Sequence, residues 1–193
     1  MRYSWMMILG LLCAALPAQA ETMPVNLHLA DYYDASLHGD ASVVSVWVED
    51  DRPVPALGRE LKGKAILPRQ AMGMVLRNAL VGSLRTAGFK VMPVQGRDSI
   101  DMLVRIKAFT YAAEDGFVTS KASLTSRVSV RVSHGAWHVE RSLGTSAEHT
   151  VPFSPDAEKV EELVNGTLAD TLKAILQDDQ IRAALRGEPK LSD

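Results

Sequence analysis

With 193 residues the chain suits one domain, and its 47% hydrophobic and 23% charged content excludes a disordered polymer. A formal net charge of −2 gives no electrostatic reason to expect nucleic acid or an acidic membrane surface. A single cysteine excludes a scaffold built on disulfides.

Met1 to Ala20 reads as a cleaved signal peptide. Arg2 supplies a short positive region, Met6 to Leu16 an apolar run, and Ala18-Gln19-Ala20 a small-x-small cleavage site. The apolar run is too short to span a bilayer, which takes roughly 20 residues. An exported protein starting at Glu21 is expected, with 20 basic against 23 acidic side chains once Arg2 is removed, a charge of −3. Cys13 lies inside this segment. A lipid-modified cysteine wants a small residue before it, and Leu12 stands there, so periplasmic export without an anchor is expected. An outer-membrane lipoprotein is the alternative. Residues 21–187 are expected to form a single α+β domain and residues 188–193 a frayed tail.

In chain order, Val25 to Ala30 alternates as a short strand, and Ser42 to Val48 is β-branched and nearly continuous, as a central strand is. Glu49 to Leu67 has no period and holds Pro53, Pro55, Gly58 and Gly63. A stretch of that kind is functional or hides a hairpin. Pro68 is expected to open a helix whose apolar side is Met72, Val75, Leu76, Ala79, Leu80, Leu84 and Ala87, with Gly88 as its C-terminal stop. Phe89 to Val94 follows as a strand ended by Pro93 and a Gln95-Gly96 turn.

Ile100 to Tyr111 is the next strand, with Met102, Val104, Ile106 and Ala108 on one face. Arg105, Lys107, Leu103, Phe109 and Tyr111 share the other. Val118 to Val132 then alternates strictly, small or apolar residues on one side and Lys121, Arg127 and Arg131 on the other. A His134-Gly135 turn is expected to set Val132 opposite Trp137 and Val130 opposite Val139, leaving Arg141 misplaced opposite Val128. An edge position or a bulge would let it snorkel. In the preceding hairpin an even loop mixes the faces. An odd loop or a bulge is needed, setting Ile106 opposite Leu124 and Val104 opposite Ser126.

Ser154 caps a second long helix to Gln177, and Asp179 to Leu185 adds a short last turn. The expected architecture is an α+β two-layer sandwich. Its sheet is mixed but mostly antiparallel, and both long helices pack on one face.

No catalytic constellation is apparent. Gly58 to Lys64 matches G-x-x-x-x-G-K, but Ala65 replaces the metal-binding Ser or Thr and the helix is delayed, so a charged turn is expected rather than a nucleotide site. The five histidines show no helical i, i+4 pairing and have no cysteine to join them, so neither metal nor cofactor is expected. No G-x-S-x-G occurs. The candidates for partner binding are Asp50, Asp51, Arg52 and Gly58 of the aperiodic loop, and Lys121, Arg127 and Arg131 of the polar sheet face. Arg52 pairing with a neighbouring carboxylate to fix the loop is the alternative for that residue.

The strand Val-Val-Ser-Val-Trp-Val leading into Asp50-Asp51-Arg52-Pro53 resembles the YajG-type envelope lipoproteins of Gram-negative bacteria. So do Leu57-Gly58, Leu67-Pro68, Ala87-Gly88-Phe89, the strand Met102 to Ile106, and the helix with Asn165, Leu168 and Leu172 ending at Asp178-Asp179-Gln180-Ile181. The resemblance runs from Val43 to Leu185 and implies an envelope protein with no catalytic residues to carry over. The expected function is a non-enzymatic accessory module binding an envelope protein or cell-wall component. The alternative is a periplasmic small-ligand binder or hydrolase working from residues 49–67.

Overall fold

The computed structural model describes residues 21–93, 99–116, 119–151 and 155–188. The expected signal peptide with Cys13, the Gln95-Gly96 turn, Val118, the Ser154 cap and the tail beyond Glu188 lie outside the described residues. In chain order the elements are β1 (Thr22–Val25), β2 (Val43–Asp50), β3 (Gly58–Arg59), β4 (Ala65–Pro68), α1 (Met72–Thr86), β5 (Lys90–Met92), β6 (Ile100–Glu114), β7 (Ser120–His134), β8 (Trp137–Val151), α2 (Ala157–Gln177) and α3 (Asp179–Leu185).

The three long strands β6, β7 and β8 form an antiparallel meander with β7 in the middle. On its other edge β6 takes two neighbours in succession. β2 runs parallel to its first half, and β3 meets it at Tyr111. β5 continues the sheet beyond β2, and β4 then β1 continue it beyond β3. The result is an eight-stranded mixed sheet that curls into a half-barrel under three helices. The α+β class holds, but the simple two-layer sandwich does not. Strands of 15 residues accumulate twist, and a sheet that branches at β6 cannot stay flat.

β7 keeps the strict alternation of its sequence. Ser120, Ala122, Leu124, Ser126, Val128, Val130 and Val132 are buried, and the residues between them are not. β6 breaks its alternation once. The pairing with β7 shifts between Ile106 and Ala108, so Lys107 is an extra residue in a bulge. Before it the buried side is Ile100, Met102, Val104 and Ile106; after it Phe109 and Tyr111 are buried. The two aromatics therefore leave the polar face where the sequence placed them. The expected odd count is met by this bulge, but the partners differ: Ile106 faces Val128 and Val104 faces Val130. The strand runs on to Glu114, opposite Lys121, which lengthens the hairpin and moves every partner.

The second hairpin also slips without changing faces. Its two-residue loop is Gly135-Ala136, with Gly135 at φ +58°, and His134 pairs with Trp137. The rings of that pair meet edge-on, with centroids 5.9 Å apart and planes at 84°. Val132 now faces Val139, Arg131 faces Glu140, and Arg141 faces Val130 rather than Val128.

α1 starts at Met72, after Pro68 has ended β4 rather than opened the helix. Its end is as expected. Gly88 sits at φ +93°, its N–H donates to the Arg85 carbonyl, and the Phe89 N–H donates to the Leu84 carbonyl. α2 is capped by Asp156, whose carboxylate accepts from the Lys159 N–H at 2.8 Å. α1 lies on β2 and β5, while α2 lies on β7, β8 and β1. Their stripes (Leu76, Leu80 and Leu84; Leu168, Leu172 and Ile175) join the buried sheet valines in one core. Thr171 of α2 donates to Ser126 Oγ at 2.9 Å, which satisfies the hydroxyl on the buried side of β7.

The strand expected from Val25 to Ala30 does not form: β1 lies before it, at Thr22–Val25, and residues 26–30 are outside the sheet. The chain then passes along the two long helices, and side chains of these helices and of Gln70, just before α1, take its backbone groups. Gln70 Oε1 accepts from the Leu27 N–H at 2.7 Å, Ser83 Oγ from Tyr32 at 2.8 Å and Asn165 Oδ1 from His28 at 3.0 Å. Side chains stand in for the missing sheet ladder.

Candidate functional site

The aperiodic stretch 49–67 resolves into a short loop and a hairpin. At the loop, Asp50 Oδ1 accepts from Arg52 Nε and Asp50 Oδ2 from Arg52 Nη2, both at 2.7 Å. The third guanidinium nitrogen, Nη1, reaches the Pro55 carbonyl at 3.4 Å. The Arg52 side chain is 5% exposed. Burial alone would raise the Asp50 carboxyl, but the hydrogen bonds and charge of Arg52 outweigh it and hold the group below the usual carboxylate range. Arg52 is thus committed to shaping the loop.

Asp51 and Glu49 belong to the outer face of the β2–β6 pair. Glu49 sits directly across from Arg105 and accepts from its Nε at 2.8 Å. Asp51 accepts from Lys107 Nζ at 2.6 Å and lies 3.9 Å from Arg105 Nε. The hydrogen bond from Arg105 to Glu49, followed by the charges around it, raises the Arg105 pKa. Two carboxylates thus face two cations along this edge of the sheet. The cavity beside the loop, lined by Arg52, Pro53, Val54, Ala56 and residues 107–110, measures about 220 Å³, below the usual range for a small-molecule pocket.

Gly58 has a purely geometric demand on it. Its φ is +150°, and a Cβ there would stand 2.0 Å from the Tyr111 carbonyl oxygen. The Leu57 carbonyl accepts from the Tyr111 N–H at 2.6 Å, so the loop is laced onto β6 at this point. The G-x-x-x-x-G-K match is the β3–β4 hairpin. Gly63 donates its N–H to the Glu60 carbonyl at 2.9 Å, and Lys64 Nζ pairs with Glu21 at 2.9 Å. The turn uses the groups a phosphate loop would need.

Lys121, Arg127 and Arg131 all project from the outer face of β7, and none makes an ion pair among the described residues. They are spread along the strand rather than clustered. Lys121 faces Glu114 and Thr150, and Arg127 faces Ala108 and Gly144. Arg131 lies in the row Trp47, Leu103, Arg131, Glu140.

That row marks what the sequence reading missed. Trp47 is 41% exposed on the outer face, although β2 reads as a continuous apolar strand. With Leu103 it lines a groove of about 450 Å³ completed by Glu49, Asp101, Arg131 and Ser133. Asp101 is held by a hydrogen bond from Ser45. The signal was present in the parity of β2: Ser45 and Glu49 share a face with Trp47, while Val44, Val46 and Val48 share the other. The seven candidates are therefore dispersed. Asp50, Asp51 and Arg52 close the end of β2, Gly58 pins a hairpin, and Arg131 alone joins the groove.

Among the described residues, no group of three or more His, Cys, Asp or Glu is placed to hold a metal ion. No described helix is long and apolar enough to cross a membrane. No curated protein matches the sequence. Among solved structures, one uncharacterized protein is 14% identical and has a TM-score of 0.53, the match covering 77% of this chain and 98% of that one. The protein XCC0632 from Xanthomonas campestris is 12% identical, with a TM-score of 0.46, the match covering 79% of this chain and 94% of the other. A neuraminyllactose-binding hemagglutinin homolog from Helicobacter pylori is 11% identical, with a TM-score of 0.43, over 83% of this chain and 97% of the other. The first of these shares the fold. The family model Lipoprotein_16, described as uncharacterized lipoprotein, matches residues 34–186, and the chain belongs to this YajG family of lipoproteins.

Proposed function

We propose that the chain is a non-enzymatic accessory module of the cell envelope that binds a protein partner on the open face of its sheet. Membership of a lipoprotein family supports the envelope. The observation that carries the binding role is the exposed Trp47 beside Leu103, ringed by Glu49, Asp101, Arg131 and Ser133. An aromatic anchor in a shallow groove with a charged rim is the usual make-up of a protein-docking centre. The pairing of Asp50 with Arg52 and of Asp51 with Lys107 supports a positioning role for those carboxylates rather than acid–base chemistry.

The test is in-cell photo-crosslinking from a benzophenone side chain at position 103. One discrete adduct is expected. It should vanish in Trp47→Ala and persist in Lys121→Ala, which lies far along β7. An adduct pattern indifferent to Trp47 would overturn the reading.

A further inference from the structure

Apart from the groove, the anomalous feature of the sheet is its last strand. β1 and β5, the other two outer strands, are 4 and 3 residues long. β8 is 15 residues long and pairs only with β7 among the described residues. Its register with β7 is unbroken from Trp137 to Val151, so no bulge turns the edge away. The strand contains neither proline nor lysine, the usual guards of an open edge. Its inward-pointing charge, Arg141, is tied down by Asp178.

The turn decides which backbone groups are free. In a two-residue hairpin the flanking pair, here His134 and Trp137, exchanges both hydrogen bonds. Trp137, Val139, Arg141, Leu143 and their successors at every second position therefore spend their N–H and C=O groups on β7. His138, Glu140, Ser142, Gly144, Ser146 and Glu148 point theirs outward, and all six residues are exposed.

We propose that this edge pairs antiparallel with the same edge of a second copy, with the two-fold axis passing at Leu143. In that register His138 stands opposite Glu148, Glu140 opposite Ser146 and Ser142 opposite Gly144, all of them outward-bonding residues. On the inner side Val139 meets Ala147 and Leu143 meets its own copy. Charge disfavours one neighbouring register and a polar–apolar mismatch the other. Moving the axis to Gly144 sets Glu140 against Glu148 twice, and moving it to Ser142 sets Arg141 against Leu143. The two sheets then continue as one, with both Trp47 grooves on the same surface. The proposal is independent of what the groove binds.

The experiment uses the chain as the cell processes and exports it. Sedimentation across a dilution series should show a species of twice the monomer mass. Ser142→Pro removes an outward N–H and spares the β7 ladder, so it should lose the dimer with its far-UV spectrum unchanged. Glu148→Lys should weaken the dimer, and adding His138→Glu should restore it. As a check that needs no disruption of the edge, Leu143→Cys should oxidise to a disulfide-linked dimer, while Ser129→Cys and the wild-type chain should not. A monomer at every dilution overturns the proposal. So does a dimer that survives Ser142→Pro and forms no link at position 143.

Discussion

Arg141 Nε donates to Asp178 Oδ2 at 3.1 Å, joining the inward face of β8 to the start of α3. The other oxygen of the same carboxylate accepts from the N–H groups of Gln180 and Ile181, both at 3.0 Å. One side chain thus caps a helix and neutralises the arginine that interrupts the apolar side of the strand. Asp178 is 10% exposed and Arg141 40%. Asp178→Ala should therefore cost about 1–2 kcal/mol, mostly through the lost cap. Arg141→Met, which removes only the more exposed partner, should cost less than about 1 kcal/mol. Chemical denaturation of both single variants and the double variant measures the coupling. Equal losses from the two single variants would contradict this division of labour.

The bulge at Lys107 sets which side of β6 is buried beyond it. Deleting Lys107 would turn Phe109 and Tyr111, now 3% and 2% exposed, toward solvent. The deletion should abolish cooperative unfolding and raise binding of a hydrophobic dye. Lys107→Ala should stay within about 0.5 kcal/mol of wild type, since it keeps the residue count and loses an exposed ion pair with Asp51. Thermal melts separate the two outcomes.

Gly58→Ala should be among the most damaging single methyl additions, costing about 3 kcal/mol or more, because the backbone of Tyr111 blocks the new atom. Gly63→Ala is the control. Gly63 also has positive φ, at +87°, but nothing lies within 4 Å of the added atom, so only the backbone penalty of about 1 kcal/mol applies. Urea titrations that rank the two in the opposite order would show that the loop does not lie on β6 as described.

The Asp50–Arg52 pair makes a pH-dependent contribution. The folded Asp50 carboxyl is held below its unfolded value, which is about 3.9. Its stabilisation is therefore fully present above that unfolded value and is lost as pH falls through the folded pKa. At neutral pH the wild type should exceed Asp50→Asn by about 1 kcal/mol, a value reduced by the carboxylate's partial exposure. The two should converge as the pH drops below about 4. A gap that stayed constant down the acid limb would assign the effect to shape rather than charge.

Local chemistry alone determined much of this protein. The alternation of Ser120 to Val132 specified a strand and its buried side. The two helical stripes, the Gly88 stop and the short helix from Asp179 were equally legible, because each depends on residues within a turn or two of one another. The need for one odd residue in the β6–β7 hairpin was legible too, since period-two faces cannot be matched without it. Tertiary structure decided where that residue sits and how far each hairpin slips. Moving a pair by two positions leaves every face unchanged, so alternation cannot see the difference. It also decided the fate of the candidate residues. Asp50, Asp51 and Arg52 look available in a line of text, but folding gives each of them a counter-charge. Gly58 looks like a ligand loop and is a point of contact between two backbones. Trp47 was hidden in a run of valines. Only the position of β2 beside β6, with the described helices packed on the other side of the sheet, leaves that ring exposed.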